Sequence, residues 1–372
     1  MQFANILKAP IWFIELFTTA KSFTANPIIG NRTLNRLGLH TGRIRLAQAM
    51  TQWRWLFMGW MLPAELRHQY RTHGVLKIEN FLSPEEFAQV RAEIVAFNGD
   101  LRRMTQGDTH TFQGLLDDQT IASMPATNRL LADRHLRRIM MYGGSSFKLP
   151  MFFAHCVRNG VDAAKPGISS DPQKDFHSDT FHPTMKAWLF LDDVDDKIGP
   201  FNYVPGSQRA TTERLEWDYE NSIAGKELAN NYAKRGSLRI SLAELKDRGF
   251  AEPIIMRVPA NTLVMADTHG FHRRGDAVAG STRLAIYAYS RSNPFNPLPG
   301  FAPVSWRSRI EQFFTRRALQ AADQKAARNN ARASWHQVPT TELAAIASPA
   351  PNVASDTTAA QRPTIHVADR SA

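Results

Sequence analysis

Short β-like runs crowd the chain from about residue 145 onward, and they constrain its fold more than any other feature. "FKLPMFFAHCV", "MKAWLFLDDV", "FNYVPGS", "PIIMRVPA", "NTLVMADT" and "RLAIYAYS" follow one another. Turn signals at Gly199–Pro200, Pro205–Gly206 and Gly280–Ser281 divide them. Strands this short cannot bury an apolar face alone, so they must close on one another. Helical patterns flank the series, which points to a mainly β protein with flanking helices, its core a barrel or double-sheet jelly roll.

The flanks read as follows. "HGVLKIENFL" is a short strand that leads into "SPEEFAQVRAEIVAF". There Ser83 can cap a helix, Pro84 suits its first position and Glu86 completes a capping box. The amphipathic "NRLLADRHLRRIMMYGG" follows. The expected organisation is a basic helical arm over 1–67, a jelly-roll domain over 68–300 with a helical insertion at about 211–248, and a basic helix over 301–337. Residues 338–372, rich in Ala, Thr, Ser and Pro, have little to bury and are expected to be disordered. No internal repeat is evident.

Charge concentrates in the arm. Residues 1–63 hold seven Lys/Arg against one acid, Glu15, more than half of the net +11. Aromatics interleave with them, as in "QWRWLFMGWML". The favoured reading is an arm packed on the main domain with its arginines in water. The competing reading is peripheral association with an anionic membrane surface. No nucleic-acid-binding motif accompanies the charge. The single cysteine, Cys156, excludes an internal disulfide framework and a Cys-rich zinc site. No apolar run approaches the ~18–20 residues of a transmembrane helix, and no signal-peptide cleavage site is recognised. The expected location is the cytoplasm, at the inner membrane surface if the arm binds lipid.

The chemistry gathers in "DFHSDTFHPTMKAWLFLDD". His177 and Asp179 are two apart, so in extended chain they point to one face and can converge on one ion. Two histidines and a carboxylate on one side of a metal form the facial triad of non-haem Fe(II) oxygenases, which leaves room opposite for dioxygen and a chelating co-substrate. His182 stands at an odd offset from His177 and is the weaker third ligand. "TLVMADTHGFHRRGDAVAGSTRLAIYAYSR" offers His269 and His272. A 2-oxoglutarate co-substrate also needs a buried cation for its distal carboxylate, and an arginine fork matches one bidentately. Arg283 opens an alternating run in which Arg283, Ala285, Tyr287 and Tyr289 share a face.

In these segments the chain resembles the phytanoyl-CoA dioxygenase family of Fe(II)/2-oxoglutarate-dependent oxygenases. The resemblance spans about residues 68–295: "HGVLKIENFLSPEEF", "HSD", "GPFNYVPGSQ", and the distal histidine and arginine. It implies a double-stranded β-helix of cupin-like form, with Fe(2+) as cofactor and 2-oxoglutarate as co-substrate. It also implies that the distal histidine precedes the co-substrate arginine by about eleven residues, which selects His272 over His269. His177, Asp179 and His272 become the implied iron ligands. Arg283, Trp188 and Lys148 become the implied co-substrate contacts. Gln208 stands where the family commonly has histidine, a change expected to touch packing or substrate more than iron. Related halogenases carry a small residue where this chain has Asp179, so oxygenation is favoured, with hydroxylation of a small-molecule or lipid-like substrate as the expected outcome. The competing function is a catalytically idle jelly roll that acts as a membrane or scaffolding module through its arm.

Overall fold

The computed structural model describes residues 2–161, 169–300 and 304–347. Eleven strands form two antiparallel sheets among these residues. In chain order the strands are β1 (Val75–Ile78), β2 (Leu101–Gln106), β3 (Thr109–Leu115), β4 (Met151–Arg158) and β5 (Met185–Phe190). Then come β6 (Phe201–Tyr203), β7 (Ile254–Met256), β8 (Thr262–Asp267), β9 (His272–Arg274), β10 (Thr282–Ser290) and β11 (His336–Gln337). The large sheet runs β1-β8-β5-β10-β4-β3-β2-β11, and the small one runs β7-β6-β9. The two face each other as the jelly roll expected from the spacing of the short runs.

Period-2 alternation sorts the large sheet into two faces. Ala154, Cys156, Ala187, Leu189, Leu263, Met265, Leu284, Ile286 and Ala288 point outward. They pack under the helices Pro84–Val95, Pro125–Ala132 and Arg134–Gly143 through Phe87, Val90, Ile94, Leu130, Leu136 and Ile139. Phe153, Trp188, Phe190, Val264, Ala266, Ala285 and Tyr287 point inward, against Phe201, Tyr203 and Met256 of the small sheet. The alternation expected for β10 is the one observed. So is the capping box, in which the Ser83 side chain accepts from the Glu86 N–H and the Glu86 side chain takes the Ser83 N–H.

A further core joins the arm to the insertion. Leu16, Phe23 and Ile29 of the arm bury against Trp217, Leu238, Ile240 and Phe271. The insertion is helical, as expected, with helices Thr212–Ala224, Asn231–Lys234 and Leu242–Asp247. Two of the arm's arginines are not in water, which corrects the expectation. Arg43 is buried, donates from Nε to the Leu16 carbonyl at 2.9 Å and from Nη2 to the Ala20 carbonyl at 2.7 Å, and lies 4.0 Å over the Phe181 ring. Arg54 is buried on Ser145 Oγ, Thr51 Oγ1 and two backbone carbonyls. A guanidinium carries five donors, so it can satisfy several chain-end carbonyls at once, and here it fastens the arm.

The helix Ala64–His73 crosses the expected border at residue 67. Residues 338–347, expected to be disordered, instead hold the helix Thr341–Ile346, whose Leu343 is fully buried. The rest of the expected tail, 348–372, lies outside the described residues. The expected basic helix is observed as Val304–Arg328. Among the described residues no helix is long and apolar enough to cross a membrane.

Candidate metal centre

Backbone pairing brings the early and late histidines together. His177 and His272 form an antiparallel bridge in which each N–H donates to the other's carbonyl at 3.0 Å. Their rings stand side by side, centroids 4.4 Å apart. The Asp179 N–H donates to the Thr268 carbonyl at 2.9 Å, which turns its carboxylate toward the same point. One ligand-capable atom from each of His177, Asp179 and His272 lies within 4.8 Å of the others, and all three residues are buried.

The ring tautomers follow from the neighbours. His177 Nδ1 sits 2.7 Å from the Asp175 carbonyl, and His272 Nδ1 sits 2.9 Å from the Gly270 carbonyl. A carbonyl only accepts, so each Nδ1 carries the proton and each Nε2 presents a lone pair. Among the described residues neither Nε2 has a hydrogen-bond partner. Asp179 Oδ1 is 3.7 Å from one and 3.8 Å from the other, too far for hydrogen bonds. Buried acceptors left without donors are costly unless a cation completes them.

The electrostatics agree. Burial lowers the His272 pKa to about 4 and, with His272 beside it, holds His177 well below its usual value. Both imidazoles are therefore neutral at pH 7. Burial alone would push the Asp179 carboxyl up. Lys186 and the two imidazoles outweigh it and hold the group well below the usual carboxylate range. The result is one anion and two neutral nitrogen donors facing one point.

The other sequence candidates sort by geometry. His269 is buried with Nδ1 3.0 Å from the Gln208 carbonyl, and His182 is buried with Nδ1 3.0 Å from the Pro183 carbonyl. Neither joins the cluster. Trp188, on the inner face of β5, contacts Phe201 at 4.8 Å and Tyr287 at 5.7 Å between ring centroids, and Phe201 in turn lies 5.7 Å from His272. Arg283 points inward from β10, donates to the Gly199 carbonyl and lies 5.5 Å from the Phe190 ring. Burial, with Arg274 adding to it, lowers its pKa to about 9. Among the described residues no carboxylate pairs with it. Lys148 is not brought to the cluster. It precedes β4 at the sheet's rim, and its Nζ is bound to Glu311 of the C-terminal helix at 2.6 Å. Gln208 donates to the Arg71 and Thr72 carbonyls at 3.2 and 3.4 Å, a packing role.

Three contacts escape the sequence reading. Lys186 Nζ lies 2.6 Å from Asp179 Oδ2. Lys21, from the arm, donates to the Asp179 carbonyl. His155, inward-facing on β4, stacks obliquely on Tyr287 at 5.0 Å and meets Gln113 Nε2 at 3.3 Å. Lys186 shares a strand face with Trp188 and Phe190, so a charge on a buried face was the available signal. Nothing local announces Lys21.

Comparison with known proteins places this geometry. Residues 70–244 match the family model described as phytanoyl-CoA dioxygenase (PhyH). That span includes His177, Asp179, Lys186 and Trp188 but ends before His272 and Arg283. No curated protein matches. Among solved structures, the epimerase SnoN in complex with Fe3+, alpha ketoglutarate and nogalamycin RO is 17% identical with a TM-score of 0.42, over 64% of this chain and 91% of that one. HygX from Streptomyces hygroscopicus, with nickel and 2-oxoglutarate bound, is 18% identical with a TM-score of 0.38, over 62% and 88%. EctD from S. alaskensis, with bound Fe, is 16% identical with a TM-score of 0.40, over 65% and 82%. Likenesses this distant say nothing of substrate. The match to the phytanoyl-CoA dioxygenase model over residues 70–244 and the buried imidazole–carboxylate–imidazole cluster agree on an Fe(II)/2-oxoglutarate-dependent oxygenase.

Proposed function

We propose that this oxygenase is a hydroxylase and that His177 Nε2, His272 Nε2 and Asp179 Oδ1 hold its iron. The observation that carries this reading is the pair of buried, partnerless Nε2 atoms facing one carboxylate oxygen. A ferrous ion fits such a donor set, two imidazoles and one carboxylate. When bound, it couples oxidative decarboxylation of 2-oxoglutarate to insertion of one oxygen atom into a C–H bond: R–H, 2-oxoglutarate and O2 give R–OH, succinate and CO2.

The chain's own residues prepare that chemistry. The Asp175 and Gly270 carbonyls fix both rings as donors toward the ion. Lys186 occupies Oδ2, so the carboxylate offers Oδ1 on the side of the imidazoles. Arg283, buried and without a carboxylate partner among the described residues, takes the distal carboxylate of 2-oxoglutarate. Trp188, Tyr287 and His155 form a chain of ring contacts on the inner face, and His155 lies near enough to Arg283 to feel its charge. Asp179 fills the position that a halide would need, which favours oxygen transfer to carbon.

The substrate is a small molecule that carries an anionic group. Lys21, Lys186 and Arg239 all lie close enough to Asp179 to act on one another's charge, against that carboxylate and Asp175. Arg239 Nε is buried without a partner. A scaffold with no activity would give no reason for this convergence.

The test is anaerobic equilibrium dialysis with Fe(II), followed by a metabolite screen with 2-oxoglutarate and air. Stoichiometric iron binding that His177→Ala abolishes, with a product heavier by one oxygen atom, is expected. Equal iron binding by the variant sinks the ligand assignment. A product carrying no added oxygen sinks hydroxylation alone.

A further inference from the structure

An open cleft of about 870 Å³ lies between the arm helix Leu39–Met58, the helix Ala64–His73 and the turn after β6. Arg45, Arg67, Arg71 and Arg209 line it, with His68 between them. They come from three segments, yet among the described residues no Asp or Glu lines the cleft and none of the four arginines pairs with a carboxylate. Elsewhere arginines find acids readily: Arg91 pairs with Asp192, Arg102 with Asp323, Arg214 with Asp218 and Arg274 with Asp171. Four guanidinium groups around one concavity repel one another and raise its potential.

The cleft is also built to hold its shape. Trp55 donates from Nε1 to the Tyr142 carbonyl at 2.8 Å and stacks on the Tyr142 ring at 5.4 Å with planes 10° apart. Arg71 lies 5.8 Å over the Trp55 ring, and Arg67 donates to the Gly59 carbonyl. Two of the four forks are therefore held in place before any ligand arrives. Gln52 and Thr211 add neutral hydrogen-bonding groups at the wall.

We propose that this cleft is a binding site for phosphoryl groups, separate from the metal centre. A phosphate's tetrahedral oxygens accept from several planar forks at once, which a carboxylate does less fully, and four uncompensated cations favour a ligand with more than one negative charge. Two sources share this chemistry. One is a free phosphorylated metabolite. The other is an anionic lipid headgroup, for which the exposed Trp53, Leu56, Phe57 and Trp60 on the neighbouring surface would enter the bilayer interface.

The experiment uses the full chain with inorganic pyrophosphate in one arm and phosphatidylglycerol vesicles in the other, phosphatidylcholine vesicles serving as the neutral control. The variants are Arg67→Gln/Arg71→Gln and, independently, Arg45→Gln/Arg209→Gln. The second pair removes side chains that bond to nothing among the described residues, so folding is spared. Pyrophosphate binding that either pair weakens at least about tenfold identifies a free phosphoryl ligand. Sedimentation with phosphatidylglycerol alone, lost in the same variants, identifies a headgroup. Affinity is expected to fall as salt rises. If neither probe binds, or if both variants bind like the parent chain, the cleft is only a solvated basic surface and the proposal fails.

Discussion

The two faces of the large sheet are built from the same strands by the same alternation, yet they differ in what they bury. Between β4, β5 and β10 the outer face is hydrocarbon and one thiol: Ala154, Cys156, Ala187, Leu189, Leu284, Ile286 and Ala288. The inner face places Lys186, His155 and Arg283 among Phe153, Trp188, Phe190 and Tyr287. A buried charge is expensive unless it is matched. The outer face carries none, and its role is to dock helices. The inner face carries several, and the proposed function gives them complements in an ion and a dicarboxylate. The sign of function here is several such groups facing one point, as in the cluster of His177, Asp179 and His272, and not a lone unpaired atom such as His269 Nε2. Depressed pKa alone is not, since the structural His182 is lowered to about 3 by burial.

If that division is right, damage to the two faces must show in different measurements. The largest effect is expected for His177→Ala or Asp179→Ala. Iron affinity should fall by more than the roughly 10–100-fold that losing an outer partner costs, and 2-oxoglutarate turnover should vanish with little change in melting temperature. Turnover that survives in both variants would break the comparison at its inner side. On the outer face, Ile286→Ala leaves a cavity under the helices and should destabilise by about 2–4 kcal/mol. Denaturant titration reads that loss, while iron stoichiometry per folded molecule stays the same.

How much of this division was written in the chain depends on the range of the interactions involved. Strand alternation is local, so Arg283, Ala285 and Tyr287 could be assigned one face from the letters alone. The capping box at Ser83–Glu86 is equally local. The H-x-D pair, which the fold brings together with His272, is marked by its two-residue offset, whereas the choice of His272 over His269 rests on the resemblance to the family. The hairpin of β2 and β3 is marked locally too, by the two-residue turn Gly107–Asp108, with Gly107 at φ +54°. Lys186 carries the same local signal, since alternation along β5 puts it on the face of Trp188 and Phe190. Lys21, Arg43 and Arg54 could not be found this way. Their partners are backbone carbonyls brought near by folding, and a carbonyl leaves no mark in the sequence.

A smaller effect on the inner face sharpens the comparison. Arg283→Gln removes the charge proposed to meet the co-substrate but keeps a polar side chain. Losing a charge-assisted pair worth about 1.5–3 kcal/mol should raise the KM for 2-oxoglutarate roughly 10- to 100-fold. Iron affinity measured without 2-oxoglutarate should stay unchanged. A variant that loses iron and co-substrate together would mean that Arg283 acts on the fold and not on the oxoacid.

The smallest effect belongs to Cys156, whose thiol lies on the outer face of β4 with no exposed surface. Burial, with Asp192 adding to it, pushes its pKa up to about 12. Only the thiolate attacks electrophiles, so at pH 8 a maleimide should label the native chain far more slowly than the denatured one. The same shift sets a direction for stability. The folded pKa exceeds the unfolded value of about 8.5, so the folded chain binds more protons through that interval. Stability from this group is complete below about pH 8.5 and is lost as pH rises toward 12, by at most about 1.4 kcal/mol per pH unit. Comparing the parent chain with Cys156→Ala isolates that slope from other groups, such as Lys21, which titrates near 8. The variant should lose the slope and keep its turnover with 2-oxoglutarate. Rapid labelling of the native chain at pH 8 would show that the outer face admits water, and the contrast between a dry docking face and a charged working face would no longer stand.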